Sequence, residues 1–202
     1  DFSDTTLRSP VDEWAVHESL SPRWTNLAGE RIRESRDSDE HPDSLAIAIF
    51  FDETGSMGNV PMVLQTKLPQ LFGLLQRKGY VEHPQILMGA VGDAYSDQVP
   101  LQIGQFESDI RIDENLRNIF LEGNGGGGNH ESYQLAAYFM ARHTATDCWD
   151  KRGKKGYLFF IGDERVYAQI EAGQVQSLIG DDLPQDLSTE EIFRELREKY
   201  EV

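Results

Sequence analysis

Residues 45–58 read LAIAIFFDETGSMG, an apolar run that ends at Asp52 and leads into a turn rich in glycine and hydroxyl side chains. A short run that is apolar at every position is typical of a central parallel strand covered on both faces. The strand delivers Asp52, Thr54 and Ser56 to one end of a sheet, and Pro61 starts a helix behind them. Oxygen side chains at alternate positions favour a hard cation, Mg²⁺ foremost, with Ca²⁺ or Mn²⁺ as alternatives. Capping of the helix is the other use for the two hydroxyls.

The composition indicates an acidic, single-domain protein with enough apolar residues for a core. Lysine and arginine total 19 against 35 aspartates and glutamates, a net charge of −16. This charge argues against nucleic acid and anionic membranes as partners, because both require a basic surface. No apolar run reaches membrane-spanning length. Cys148 is the single cysteine, which favours a reducing, cytoplasmic location.

The chain divides into a polar N-terminal arm, 1–44, and a domain, 45–202. We expect Trp14 and Trp24 to pack the arm onto the domain. From residue 45 onward strands and helices alternate: strands at 45–51, 86–91, 100–106 and 156–161, and helices at about 61–78, 109–121, 131–147, 165–179 and from 188. The short link before 100–106 favours an antiparallel edge strand. A new strand is due at Tyr200, so we expect a final strand and helix of the fold to be missing from this sequence.

Alternating strands and helices predict a doubly wound, mostly parallel sheet with helices on both faces, whose ligands collect at the carboxyl ends of the strands. Three segments reach that edge: the DETGS turn after the first strand, the loop GGGGNHES (125–132) before a helix, and the GDE turn after 156–161. Asp52 and Asp163 end strands that should be neighbours, so their carboxylates can face a common point.

These motifs make residues 45–202 similar to a von Willebrand factor A (vWA) domain. The metal-ion-dependent adhesion site (MIDAS) of that family uses Asp-x-Ser-x-Ser after the first strand. Here the motif reads Asp52-Glu53-Thr54-Gly55-Ser56, in which Thr54 keeps the hydroxyl. The family places an Asp after the fourth strand, and Asp163 occupies that position. The resemblance implies a Rossmann-like fold that carries an antiparallel edge strand.

The second MIDAS element departs from the family pattern, because the loop at 125–132 contains no threonine. It resembles the variant in integrin β-subunit domains, in which a glutamate opening the helix contacts the metal. On that analogy Glu131 is the expected ligand, with Asn129 or Ser132 as substitutes.

The resemblance implies a binding module and not an enzyme. Hydroxyls and water-bridged carboxylates leave the cation short of negative charge, so that an Asp or Glu of a partner protein completes its coordination. The cation also supplies positive charge to an otherwise acidic surface. Such domains serve as adaptors in larger assemblies, including those of AAA-type ATPases.

Two alternatives remain open at this point. The DETGS segment is also similar to the phosphorylated Asp-Lys-Thr-Gly-Thr of P-type ATPases and haloacid-dehalogenase-type phosphohydrolases. Asp52 would then be a nucleophile, Asp163 or Asp181 would bind Mg²⁺, and Lys154 or Lys155 would hold phosphate. A degenerate interaction domain without metal is the second alternative. In every case we expect Glu53 to face solvent or a partner.

Overall fold

The computed structural model describes residues 16–53, 57, 59–122 and 129–202. A short 3-10 helix, Glu18–Leu20, comes first. The strands are β1 (Arg33–Ser35), β2 (Leu45–Asp52), β3 (Pro84–Val91), β4 (Leu101–Ile103), β5 (His130–Glu131), β6 (Thr144–Thr146), β7 (Gly156–Ile161), β8 (Arg165–Val166), β9 (Gln169–Ile170), β10 (Leu187–Ser188) and β11 (Tyr200–Glu201). The helices are α1 (Val60–Arg77), α2 (Arg111–Asn118), α3 (Tyr133–Arg142), α4 (Asp147–Asp150), α5 (Ala172–Leu178) and α6 (Thr189–Lys199).

The molecule is an α/β protein built on a five-stranded, mostly parallel sheet in the order β11-β7-β2-β3-β4. β2 lies in the centre and pairs in parallel with both β3 and β7. Val91 of β3 is the partner of Asp52, so these two strands end level with one another. β4 runs antiparallel at one edge and β11 runs parallel at the other. The carboxyl ends of β2, β3 and β7 therefore form one edge of the sheet.

The side chains of β2 alternate between two apolar clusters, which explains why the whole strand is buried. Ala46, Ala48 and Phe50 belong to a cluster that includes residues of α3, α5 and α6. Ile47, Ile49 and Phe51 belong to a second cluster that includes residues of α1 and α2. The apolar run read from the sequence is thus apolar because both faces of the strand are covered.

Residues 16–44 are held on the domain by a buried guanidinium. Arg33 is fully buried, and its side chain donates hydrogen bonds to the carbonyls of Ser21, Trp24, Ile103 and Gly104. Its guanidinium carbon lies 4.9 Å from the centre of the Trp24 ring. Burial lowers the pKa of Arg33 to about 10, so that the group keeps its charge at neutral pH.

Several predicted elements are confirmed. β2 and β7 lie where the sequence places them, α1 ends before Gly79 at a φ of +64°, and β4 is an antiparallel edge strand. β11 begins at Tyr200, where a new strand was due. No helix in the part of the chain that the structure describes is both long enough and apolar enough to cross a membrane.

The helices predicted at 131–147 and 165–179 are wrong in part. α3 stops at Arg142, because Thr144–Thr146 instead forms β6 and pairs in parallel with β1 of the arm. α5 starts only at Ala172, because the residues before it form β8 and β9, which pair with β5 and β10. Both errors have the same cause. The local sequence pattern of these segments is compatible with a helix, but pairing with strands distant in sequence favours the extended conformation.

Ser188 lies at the N-cap of α6, but its side chain makes no capping hydrogen bond. The residue belongs to β10 and is paired with Gln169 of β9. The Thr189 amide at the start of the helix donates to the carbonyl of Ala168, 3.1 Å away. Strand pairing therefore takes the place of a side-chain cap at the start of α6.

Candidate functional site

Asp52 ends the central strand as a fully buried carboxylate. The hydroxyl of Tyr133, the first residue of α3, donates a hydrogen bond to Asp52 Oδ2 over 3.0 Å. A buried carboxylate is costly unless it is hydrogen-bonded or paired, and Tyr133 supplies one such partner. Asp52 is thus held at the carboxyl edge of the sheet by the start of α3.

Glu131 and Asp163 reach the same edge from two other segments. β5, which contains Glu131, pairs in parallel with β8, so that the segment before α3 lies beside the segment after β7. The Glu131 side chain is 2% exposed, whereas Asp163 is exposed at the end of β7. The sheet therefore brings together the three acids that the sequence singled out on separate segments.

Gly162 lets the chain after β7 approach Asp52 closely. A Cβ at this position would collide with the hydroxyl oxygen of Tyr133 and would lie 3.1 Å from Cβ of Asp52. Only glycine leaves room for the phenol here. The backbone next to Asp163 is consequently in contact with the Asp52–Tyr133 pair.

The pKa of the Tyr133 hydroxyl is affected by all three acids. Burial, followed by the charge of Asp52 and the hydrogen bond to it, raises the pKa of the Tyr133 hydroxyl well above its usual range, and Glu131 and Asp163 add to the effect. Three carboxylates from three segments therefore act on one hydroxyl. A negative potential of this kind favours a cation.

The remaining candidate ligands fall into two groups. Thr54 and Ser56 lie outside the described residues. Ser132 is buried, and its hydroxyl accepts a hydrogen bond from the Ala94 amide at 2.9 Å, which ties α3 to the loop after β3. Asn129 is exposed, and its backbone carbonyl accepts from the amide of Arg165. Of the two proposed substitutes for Glu131, Ser132 thus already uses its hydroxyl to bind the backbone of the loop after β3.

Within the described ranges, no group of three or more His, Cys, Asp and Glu side chains is arranged to hold a metal ion directly. A site of the type inferred from the sequence would use the hydroxyls of Thr54 and Ser56 as direct ligands and several carboxylates through water. The described acids by themselves are not a complete set of direct ligands.

Glu53 is not exposed, which contradicts the expectation from the sequence. Its amide continues the ladder to the carbonyl of Val91, and its side chain is 2% exposed. Gln102 of β4 donates from Nε2 to both carboxylate oxygens, at 3.1 and 3.2 Å. Burial raises the pKa of Glu53 well above its usual range. Pairing extends one residue beyond Asp52, and this extension turns Glu53 away from Asp52 and towards β4.

A second group of acids lies on the loop after β3. The buried Asp93 accepts hydrogen bonds from the Tyr95 amide and the Tyr167 hydroxyl, the latter at 3.0 Å. Asp97 accepts from the Asp93 amide over 2.6 Å. The structure gives Asp93 a tyrosine partner, Tyr167, from a distant loop that no local sequence pattern indicated.

Three of the groups named for a phosphohydrolase, Asp181, Lys154 and Lys155, are not gathered around Asp52. Asp181 is bound by His143 and Tyr138, and His143 follows α3 at the end opposite Tyr133, about 15 Å along the helix axis. Lys154 and Lys155 precede β7, at the end of the strand away from Asp163, and Lys155 pairs with Glu201 at 3.5 Å. The geometry therefore separates the proposed nucleophile from these proposed partners.

A scan of the chain against models of known protein families gave no match, and neither did a sequence search of curated proteins. Among solved structures, the chain is similar to two crystal structures of the pilus adhesin SpaC from Lactobacillus rhamnosus GG, one of them in an open conformation. Sequence identities are 13% and 12%, with TM-scores of 0.42 and 0.44. Each match covers 63% of this chain but only 15% and 16% of the adhesin chains.

Proposed function

We propose that this chain is a doubly wound α/β domain of the vWA type, which captures an acidic residue of a protein partner through a bound divalent cation, Mg²⁺ foremost. The observation that carries the proposal is the placement of Asp52, Glu131 and Asp163 at one edge of the sheet, where the Tyr133 hydroxyl donates to Asp52 and the chain next to Asp163 packs against both. The alternation of β2 between two clusters, each with its own helices, supports the doubly wound arrangement.

The residues present fit such a cation in charge and chemistry. Asp52 and Glu131 are buried acids at the carboxyl edge of a parallel sheet, where ligands of α/β proteins bind. All the candidate donors are oxygens, as Mg²⁺ prefers. The cation would supply a positive centre to which a carboxylate from outside can bind.

Each protein group has a distinct role in this proposal. Ser56 and Thr54 are the direct hydroxyl ligands, and Asp52 and Asp163 hold coordinated water. Tyr133 fixes the Asp52 carboxylate through its 3.0 Å hydrogen bond. Glu131 takes the place of the threonine ligand that the family commonly uses. The direct shell remains poor in negative charge, which leaves affinity for a partner's Asp or Glu.

Titration with Mn²⁺, followed by electron paramagnetic resonance, tests the cation site in wild type and in Ser56→Ala, Asp163→Ala and Asp39→Ala. We expect one bound ion in wild type, loss of at least tenfold in affinity in the first two variants and no change in the third, since Asp39 is an exposed acid of the arm. Equal Mn²⁺ affinity in wild type and Ser56→Ala would refute the adhesion-type site. Absence of Mn²⁺ binding by wild type would leave an interaction domain without metal.

A second experiment tests capture of a carboxylate. A fluorescent peptide with a single Glu is titrated in Mg²⁺ and again in EDTA, next to the same peptide carrying Gln. The proposal requires binding that depends on both the metal and the Glu. Binding that EDTA leaves unchanged would exclude capture through the ion.

A further inference from the structure

A stack of three rings lies beside the candidate metal site. Tyr167 contacts both other rings: the Tyr95 ring centre lies 4.8 Å away with the two planes tilted by 52°, and the His130 ring is stacked at a centre distance of 5.0 Å. His130 is adjacent in sequence to Glu131, which places this end of the group next to the candidate metal site. We call Tyr95, Tyr167 and His130 the ring stack.

The outer end of the ring stack is accessible. Tyr95 is 55% exposed, although its hydroxyl donates a 2.6 Å hydrogen bond to Glu171 Oε1. The Tyr167 hydroxyl is likewise held, by Asp93. Because the polar ends of both tyrosines are already bound to protein, what remains for a partner is the ring surface. A ring fixed in this way loses little conformational entropy when a partner binds.

Acids surround the accessible end. Glu171 and Asp93 accept hydrogen bonds from the two tyrosines, and the hydrogen bond to Glu171, burial and the charge of Glu171 raise the pKa of Tyr95 to about 12. Asp97 is bound to the backbone of Asp93. An electron-rich ring face bordered by carboxylates attracts cations, through the ring quadrupole and through charge.

The inner end of the stack has the opposite character. Arg165 of β8 is the register partner of His130 and is exposed, so a basic side chain lies at that end. The stack thus offers a partner cation one acidic end, at Tyr95, and one basic end, at His130. A cation therefore has a defined position, over Tyr95 and next to Glu171.

We infer that this surface binds an arginine side chain of the partner, next to the carboxylate captured by the metal. Arginine fits better than lysine because its planar guanidinium stacks on an aromatic ring and donates to a carboxylate at the same time. The inference extends the proposed function. Only the part that places the arginine next to a metal-bound carboxylate of the partner rests on that function. The partner segment would then present an acidic and a basic side chain together.

The arginine half is testable without metal. Ac-Gly-Arg-Gly-NH₂ is titrated into isotope-labelled protein in EDTA at pH 8, and ring resonances are followed by NMR, with the Lys and Leu peptides as comparisons. We expect saturable shifts confined to the ring stack, in the order Arg, Lys, Leu. Equal shifts with the Leu peptide, or shifts spread evenly over the acidic surface, would overturn the inference.

Variants separate the ring from its surroundings. Tyr95→Leu should weaken arginine-peptide binding about threefold, and Tyr95→Phe should retain it, since the ring provides the attraction. Glu171→Gln keeps an acceptor for Tyr95 but removes the charge, and it should weaken binding roughly twofold. Tyr80→Leu is the matched control, because Tyr80 is 72% exposed and follows α1, away from the stack. Unchanged binding in Tyr95→Leu would refute the site.

A longer peptide containing both Glu and Arg distinguishes this inference from the proposed function. Tighter binding in Mg²⁺ than in EDTA that is weakened both by changing Glu to Gln and by changing Arg to Leu supports both. Arginine-dependent binding that is indifferent to Mg²⁺ refutes metal capture and keeps the arginine site. Metal-dependent binding that does not change when the arginine is replaced supports metal capture and refutes the arginine site.

Discussion

Tyr133 and Asp52, 81 residues apart in sequence, are joined by a 3.0 Å hydrogen bond at the carboxyl edge of the sheet. The bond connects the start of α3 to the end of the central strand, and Gly162 packs against both residues. It therefore fixes the position of the buried carboxylate on which the candidate site depends.

Replacing Tyr133 by Phe removes one hydrogen-bond donor from a buried carboxylate. We expect a loss of about 1–3 kcal/mol in the free energy of unfolding, measured with urea. In a double-mutant cycle with Asp52→Ala, which removes the acceptor, a coupling energy near zero would show that the hydrogen bond contributes nothing to stability.

Gly162→Ala should destabilise the protein, because the new methyl group collides with the Tyr133 hydroxyl and meets Asp52. The expected cost is about 1–3 kcal/mol by urea denaturation. Gly173→Ala in α5 is the matched control: nothing lies within 4 Å of its added Cβ, and it should stabilise by about 0.5–1 kcal/mol. Equal effects of the two substitutions would contradict the close approach at Gly162.

Glu53→Gln should change the pH dependence of stability. Burial raises the pKa of Glu53, so the folded protein binds its proton more tightly than the unfolded chain does. Wild type should therefore lose stability as the pH rises from about 4.5 through the raised pKa. The variant lacks this loss, so its urea midpoint relative to wild type should be higher at pH 8 than at pH 4.5.

The exposed Glu40 provides the control for this experiment. Glu40→Gln should leave the difference between the two pH values close to that of wild type. Parallel stability profiles for wild type and Glu53→Gln would show that Glu53 is not a buried acid.

Arg33→Met preserves much of the buried side-chain length but removes every donor to four carbonyls. Hydrogen bonds from charged groups contribute about 1.5–3 kcal/mol each, and we expect a loss of about 3 kcal/mol or more in the free energy of unfolding. Limited proteolysis should also cut residues 16–35 faster. The exposed Arg117→Met should leave both measurements unchanged.

Local sequence patterns predicted the elements that depend on local chemistry. An unbroken apolar run predicted β2 and the position of Asp52 at its end, and the short link after β3 predicted an antiparallel β4. Glu53 shows the limit of this reasoning. Its neighbours in sequence indicated a turn, but one further ladder hydrogen bond and a glutamine from β4 bury it.

The sequence by itself determined the central strand, the acid at its end and the acidic balance of the chain, because burial periodicity and charge are properties of adjacent residues. Only the tertiary structure decided which distant groups meet: Tyr133 with Asp52, β5 with β8, Tyr167 with Asp93. Those contacts join segments far apart in the chain, and they form only where strand order and pairing bring the loops to one edge. The candidate site and the ring stack both consist of residues that strand pairing brings to that edge.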